Sequence, residues 1–157
     1  MLLTHLVSGL GWLGIEVVFL VLAVIGLTSD DPATVGACYQ ALGLFVMPTL
    51  LPAGLISLAS GIVLGMGSKY GLLRYWWVAI KLVLNVILTA LALVALPPRM
   101  GEAAELGRGL GSGELGLDAI DRLQIDLMFP PTVSITALML ASVLAVYKPW
   151  GRLRRGN

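Results

Sequence analysis

The chain has 157 residues, of which 58% are hydrophobic and only 12% charged, and its mean hydropathy is +0.94. Soluble domains carry about 25% charged side chains, so this chain has too little polar surface to cover a water-facing globule. The length suits a single membrane domain over 1–157, and a net charge of +1 argues against a nucleic-acid partner. One cysteine, Cys38, leaves no internal disulfide, and no Cys/His spacing suits a structural metal.

Four apolar stretches follow in chain order, over about 2–27, 39–66, 76–96 and 130–147. Each approaches the ~20 residues that cross a ~30 Å hydrocarbon core as a helix. A lone strand would leave its backbone unsatisfied in lipid, so the expected fold is an all-α integral membrane protein, a four-transmembrane-helix bundle. The first stretch has no Lys or Arg ahead of it and no small-residue cleavage site after it, and is read as a retained span. Pro48 and Pro52 predict a kink in the second span. Pro97-Pro98 mark the end of the third and Pro130-Pro131 the start of the fourth.

Charge orients the bundle. Lys69 and Arg74 lie between spans two and three, and Lys148, Arg152, Arg154 and Arg155 follow span four, with no acid in either segment. The first connection carries Asp30 and Asp31. The third, over 97–127, carries Glu102, Glu105, Glu114, Asp118, Asp121 and Asp126 against Arg99, Arg108 and Arg122. The positive-inside rule then expects both termini in the cytoplasm and the acidic loop outside, in a plasma or cell inner membrane. Tyr75, Trp76 and Trp77, with Tyr147 and Trp150, stand at the expected cytoplasmic interface. Within the acidic loop, 101–116 reads as a mobile Gly-Glu segment. Residues 117–127 read as a short interfacial helix with Leu117, Ile120, Gln124 and Leu127 on one face. Its carboxylates read as a solvated cap, or alternatively as a divalent-cation site at Asp118, Asp121 and Asp126 without recognisable loop spacing.

Two charges interrupt the spans, Glu16 and Lys81. A charge at the bilayer centre costs about 2.5–3.5 kcal/mol even on insertion scales, so both are expected to face the bundle interior. Helical spacing joins His5, Gly9, Trp12 and Glu16 in one stripe, and Trp77, Lys81, Asn85 and Thr89 in another. Gly54, Ser57, Gly61 and Gly65 form a small-residue face on span two. Glu16 lies about 16 Å deeper than His5, and Lys81 about 7–8 Å in from Trp76. Lys81 therefore either snorkels back to the headgroups or reaches inward toward Glu16 and Asn85. Glu16 is either a packing carboxyl or a proton-active or ligand-binding one. His5, Trp12, Glu16, Lys81 and Asn85 are the candidate site residues for a cofactor, and His5 the candidate metal ligand. No second His exists, so an axial pair on haem within one subunit needs a Met or Lys as the second ligand.

His5, Trp12 and Gly14 spell H-x6-W-x-G, and Trp77 and Lys81 fall in YWWVAIKLVLNV. With the MPTLLPAGLISLASGIVLG stretch of span two, this layout resembles the small four-helix membrane proteins grouped around copper-resistance protein D and the HemJ-type membrane protoporphyrinogen oxidase. The likeness runs to Leu96 and rests on short, hydrophobic motifs. It implies haem b in the bundle, with functional roles on His5 and Lys81 only. The chain departs from the oxidases in having no further His and in carrying Glu16.

Three readings stay open, and whether the chain is an enzyme stays open with them. The first is a membrane protein whose polar intrabundle site binds haem, a porphyrin or a metal ion. The second is a tetrapyrrole-linked oxidoreductase, any redox chemistry coming from a bound cofactor. The third is a small proton-coupled transporter using Glu16. The partners expected are the lipid bilayer and, through the glycines of spans one and two, a homodimer or a larger membrane complex.

Overall fold

The computed structural model describes residues 1–68, 71–148 and 151, except the side chain of Asp121. Lys69, Trp150, Arg152, Arg154 and Arg155, which enter the charge and interface argument, lie outside the described residues. The fold is all-α: α1 (Leu2–Thr28), α2 (Pro32–Gly67), α3 (Trp76–Val94), α4 (Leu96–Ser112), a 3-10 turn (Leu117–Ile120) and α5 (Asp121–Tyr147). Four of these helices, α1, α2, α3 and α5, are long and apolar enough to cross a membrane, as in a multi-pass membrane protein.

Local chemistry sets the boundaries. Ser29 turns extended after α1, and Asp31 caps α2 by accepting from the Ala33 and Thr34 amides at 3.3 and 3.1 Å, with Pro32 in the first turn. The Thr34 hydroxyl also donates to this carboxylate at 2.6 Å. α2 therefore starts at Pro32 rather than near Tyr39, and its 36 residues reach about 54 Å.

The third connection differs most from its sequence reading. Its first part is helix α4, not a mobile loop. Ala95 keeps helical angles (φ −91°, ψ −26°), so α3 and α4 are separated by a single residue. Pro97 and Pro98 cannot donate to the preceding turn, but the first turn of a new helix needs no such donors. Gly113, at φ +77°, ends α4 in the left-handed region, with its own amide bonded to Leu110 O and the Glu114 amide to Gly109 O. Gly107 serves close packing against α2 rather than loosening a loop. Likewise α5 begins at Asp121 and runs through Pro130 and Pro131. Pro131 is fully buried, and a membrane-type helix absorbs prolines where neighbours re-satisfy its backbone.

α1 runs antiparallel to α2: Gly61 abuts His5, Gly54 abuts Trp12 and Gly26 abuts the Tyr39 ring. α1 also packs on α5, and α3 packs on α2 and α5, closing a four-helix ring. We call the end with the starts of α1 and α3 basal, and the end with the α1–α2 turn upper. In the upper half α4 lies antiparallel along α2, Gly36 facing Gly107 and Gly43 facing Met100 and Ala104. A Cβ on Gly107 would stand 2.8 Å from both Gln40 N and Gly36 O. The hydrophobic core, which includes Phe19, Tyr39, Leu42, Leu50, Met100 and Leu127, extends upward from Trp12 and Leu88.

Candidate functional site

In the basal half the inward-facing positions are small or polar, and a cleft of about 220 Å³ opens between α1, α2, α3 and α5. His5, Ser57, Lys81 and Asn85 provide its main polar groups, and Leu6, Leu13, Leu58 and Leu88 are among its apolar walls. Among the described residues no acidic side chain lines it.

The imidazole of His5 is fixed by α2. Its Nδ1 lies 3.0 Å from Ser57 O and 3.2 Å from Ser60 Oγ. A carbonyl can only accept, and Ser60 Oγ already donates to Ile56 O at 2.6 Å. Nδ1 therefore carries the proton, shared between both oxygens, and Nε2 is left as the acceptor. A Cβ on Gly61 would lie 3.0 Å from His5 Cε1, so a larger residue there would crowd the ring. Asn85 Nδ2 donates to Ser57 Oγ at 3.2 Å, and Thr89 Oγ1 donates to Asn85 Oδ1 at 3.3 Å. The hydrogen bonds thus tie α1, α2 and α3 together across the cleft.

Lys81 lines the same cleft, half-buried, with Nζ 5.8 Å from the Trp77 ring centroid. That is cation–π distance, and it turns the ammonium toward the start of α3, away from Glu16. Of the two placements open for Lys81, the inward reach to Glu16 is not the one adopted.

Trp12 and Glu16 occupy a separate position above the cleft. Trp12 Nε1 donates to Glu16 Oε1 at 3.1 Å, and the indole packs on Gly54, whose Cβ would lie 3.2 Å from it. Glu16 is 2% exposed, and Ser134 of α5 stands beside its carboxyl. Oε2 is nevertheless without a hydrogen-bond partner among the described residues. The five candidate residues therefore divide into a cleft set, His5, Lys81 and Asn85, and a buried pair, Trp12 and Glu16. Ser60 and Ser134 went unnoticed in the sequence because isolated serines in apolar spans carry no distinguishing pattern.

A metal held by protein ligands has little to draw on. Among the described residues no three His, Cys, Asp or Glu side chains cluster, and His5 offers one nitrogen. Of the acidic trio weighed in the third connection, Asp121 has a side chain outside the described residues. Haem fits no better: a drug-sized ligand needs ~300–1000 Å³, more than the cleft of about 220 Å³ encloses. Compared with protein-family models, curated proteins and solved structures, the chain matches none.

Proposed function

We propose that this membrane protein binds a small amphipathic molecule in the basal cleft, with Lys81 as counter-charge to an anionic head and the leucine walls around its apolar body. The observation that carries this reading is an ammonium lining a mainly apolar cleft that has no acid in its walls. A cation in such a place needs a counter-charge more than an exposed one does. Asn85 has a second amide hydrogen beyond the one given to Ser57, and His5 Nε2 accepts from a hydroxyl or acid proton on the same head. By charge bias the basal end faces the cytoplasm, with both termini there, in a plasma or inner membrane.

The resemblance to the copper-resistance D and HemJ-type proteins accords with this reading in one respect. The two residues it singles out, His5 and Lys81, both line the cleft. A tetrapyrrole carries suitable carboxylates, but its macrocycle is too large to be enclosed there, so the ligand proposed is smaller.

Octanoate tests the reading, with the protein in lipid nanodiscs and binding followed by calorimetry. Octanoate is expected to bind saturably and 1-octanol, lacking the charge, much more weakly. Lys81→Gln should weaken octanoate by about tenfold to a hundredfold, the range for a lost hydrogen bond to a charge, and Lys81→Arg should restore most of it. Equal binding of octanoate and octanol, or no effect of Lys81→Gln, overturns the proposal. Haem added in parallel should give no His5-dependent Soret band.

A further inference from the structure

Glu16 has no part in the binding reading above, yet it is a buried carboxyl with one oxygen unpartnered among the described residues. Its side chain is 2% exposed, its Oε1 has the Trp12 indole as donor, and its Oε2 is buried without a partner among the described residues. α1 packs on α2 and α5, and neither brings a charge to it. α2 has no charged residue over Pro32–Gly67, and its titratable groups, Cys38 and Tyr39, lie at the upper end, where Tyr39 abuts Gly26. On α5 the charged residues are Asp121, Arg122 and Asp126, the nearest about 12 Å along the axis from Ser134. On α3 the single charged residue is Lys81, and on α1 itself the other titratable side chain is His5. Both belong to the cleft.

The cleft and Glu16 are nevertheless neighbours. A Cβ on Gly9 would stand 4.0 Å from Ser57 Oγ, to which Asn85 donates, so these three share one level. Thr89, 3% exposed, carries the hydrogen-bond series upward from Asn85. At the helical rise Thr89 is about 6 Å above that level and Glu16 about 10 Å, so the series ends roughly one turn short of the carboxyl. By the same count Lys81 lies level with His5, about 16 Å below Glu16. It is the cationic side chain that lines the cleft, whereas Arg99 of α4, about 10 Å above Glu16 along the axis, bonds the Asp126 carbonyl at the upper end. Without an anion beside it, the Lys81 ammonium has no counter-charge in the cleft among the described residues and favours the ionised carboxylate. An anion seated against it cancels that field and favours the proton.

We infer that Glu16 Oε2 is a proton-binding site linked to the cleft, so that seating an anionic head beside Lys81 shifts the carboxylate toward its protonated form, the proton coming from bulk water. The proton taken up offsets part of the charge that the ligand anion brings into the bundle. The inference rests on the binding reading and extends it to a proton-coupled cycle. One unit charge at about 16 Å and an effective dielectric near 20 changes the partner equilibrium roughly fivefold. Linkage is reciprocal, so acidification must tighten ligand binding by the same factor.

Octanoate binding to the wild type and to Glu16→Gln, in nanodiscs at about pH 8 and about pH 6, tests this. The wild type is expected to bind roughly fivefold tighter at the lower pH, and Glu16→Gln to bind with nearly pH-independent affinity. His5 is a second titratable group at the cleft, so a further measurement identifies the group. Adding octanoate to the wild type should produce the infrared carbonyl band of a protonated carboxylic acid, and Glu16→Gln should lack it. With octanoate labelled with carbon-13 at its carboxyl, so that its own acid band is shifted away, the wild-type spectrum stands even if the variant fails to fold. Octanoate binding without that band, or with an undiminished pH dependence in Glu16→Gln, overturns the proton site while the binding reading survives. No saturable octanoate binding to the wild type overturns both.

Discussion

In the upper half of the bundle, the inward positions of α1 and α2 hold Phe19, Ala23, Val35, Tyr39, Leu42, Val46 and Leu50, all buried. α4 seals that half by laying Gly107 and Gly43 against the α2 backbone. In the basal half, the same two helices turn Ser8, Gly54, Ser57, Ser60 and Gly65 inward, and no fifth helix is added. Large apolar side chains and glycine contacts give a close-packed body. Small and polar ones on a ring of four helices leave a cleft that hydrogen bonds hold open. The change falls where Pro48 and Pro52 stand within the continuous α2 and α3 gives way to α4. A rigid upper body can thus position a site that its own packing would have filled.

The largest expected effect strikes the close-packed half. Gly107→Ala places a methyl 2.8 Å from backbone atoms that have no side-chain freedom to yield, and should destabilise the protein by about 2–3 kcal/mol. A thermal melt in detergent reads this out; an unchanged midpoint would mean that α2 and α4 are not in close contact. Trp12→Phe tests the boundary between the halves. It keeps an aromatic ring on Gly54 but removes the donor to Glu16, at a cost of about 1–2 kcal/mol. Trp12→Phe combined with Glu16→Leu should recover part of that loss, because the orphaned carboxyl goes too; no recovery would mean the pair is not coupled.

Gly101 is the counterpart to Gly107, an exposed residue of α4 with nothing within 4 Å of its Cβ position. Gly101→Ala should therefore stabilise by about 0.5–1 kcal/mol through helix propensity. Loss of stability there would contradict the packed-against-open distinction between the two glycines. The smallest effect belongs to the Asp31 cap. The Thr34 hydroxyl and amide hold the Asp31 carboxyl below its usual range. Its contribution is therefore present above the ordinary carboxylate range and lost as pH falls through the depressed value. Asp31→Ala should lower the melting midpoint slightly at neutral pH and flatten its decline in acid, and an identical acid profile would remove the cap from the account.

The four long apolar helices were legible in the sequence because lipid-compatible length and composition are properties of each segment alone. The His5 and Lys81 stripes were legible for a related reason: helical spacing puts residues on one face wherever the helix ends up. The helix over Leu96–Ser112 was not legible. Gly101, Gly107, Gly109 and Gly111 weaken an isolated helix, and only contact with α2 shows why Gly107 is needed. Ser57 read as one member of a small face, and its part in holding His5 and Asn85 needed the approach of α1 and α3.

Glu16 and Lys81 mark the limit most clearly. Composition alone established that two ionisable side chains in apolar spans require an interior or an interface, since lipid solvates neither. Whether they meet depends on helix register and on the direction each side chain takes from its helix, which no single segment encodes. The tertiary structure set Lys81 over Trp77 in the cleft and Glu16 against Trp12 in the packed body. Long side chains lean toward the start of their own helix. Parallel α1 and α3, both rising from the basal end, would have brought the two together only had their registers placed them at one depth.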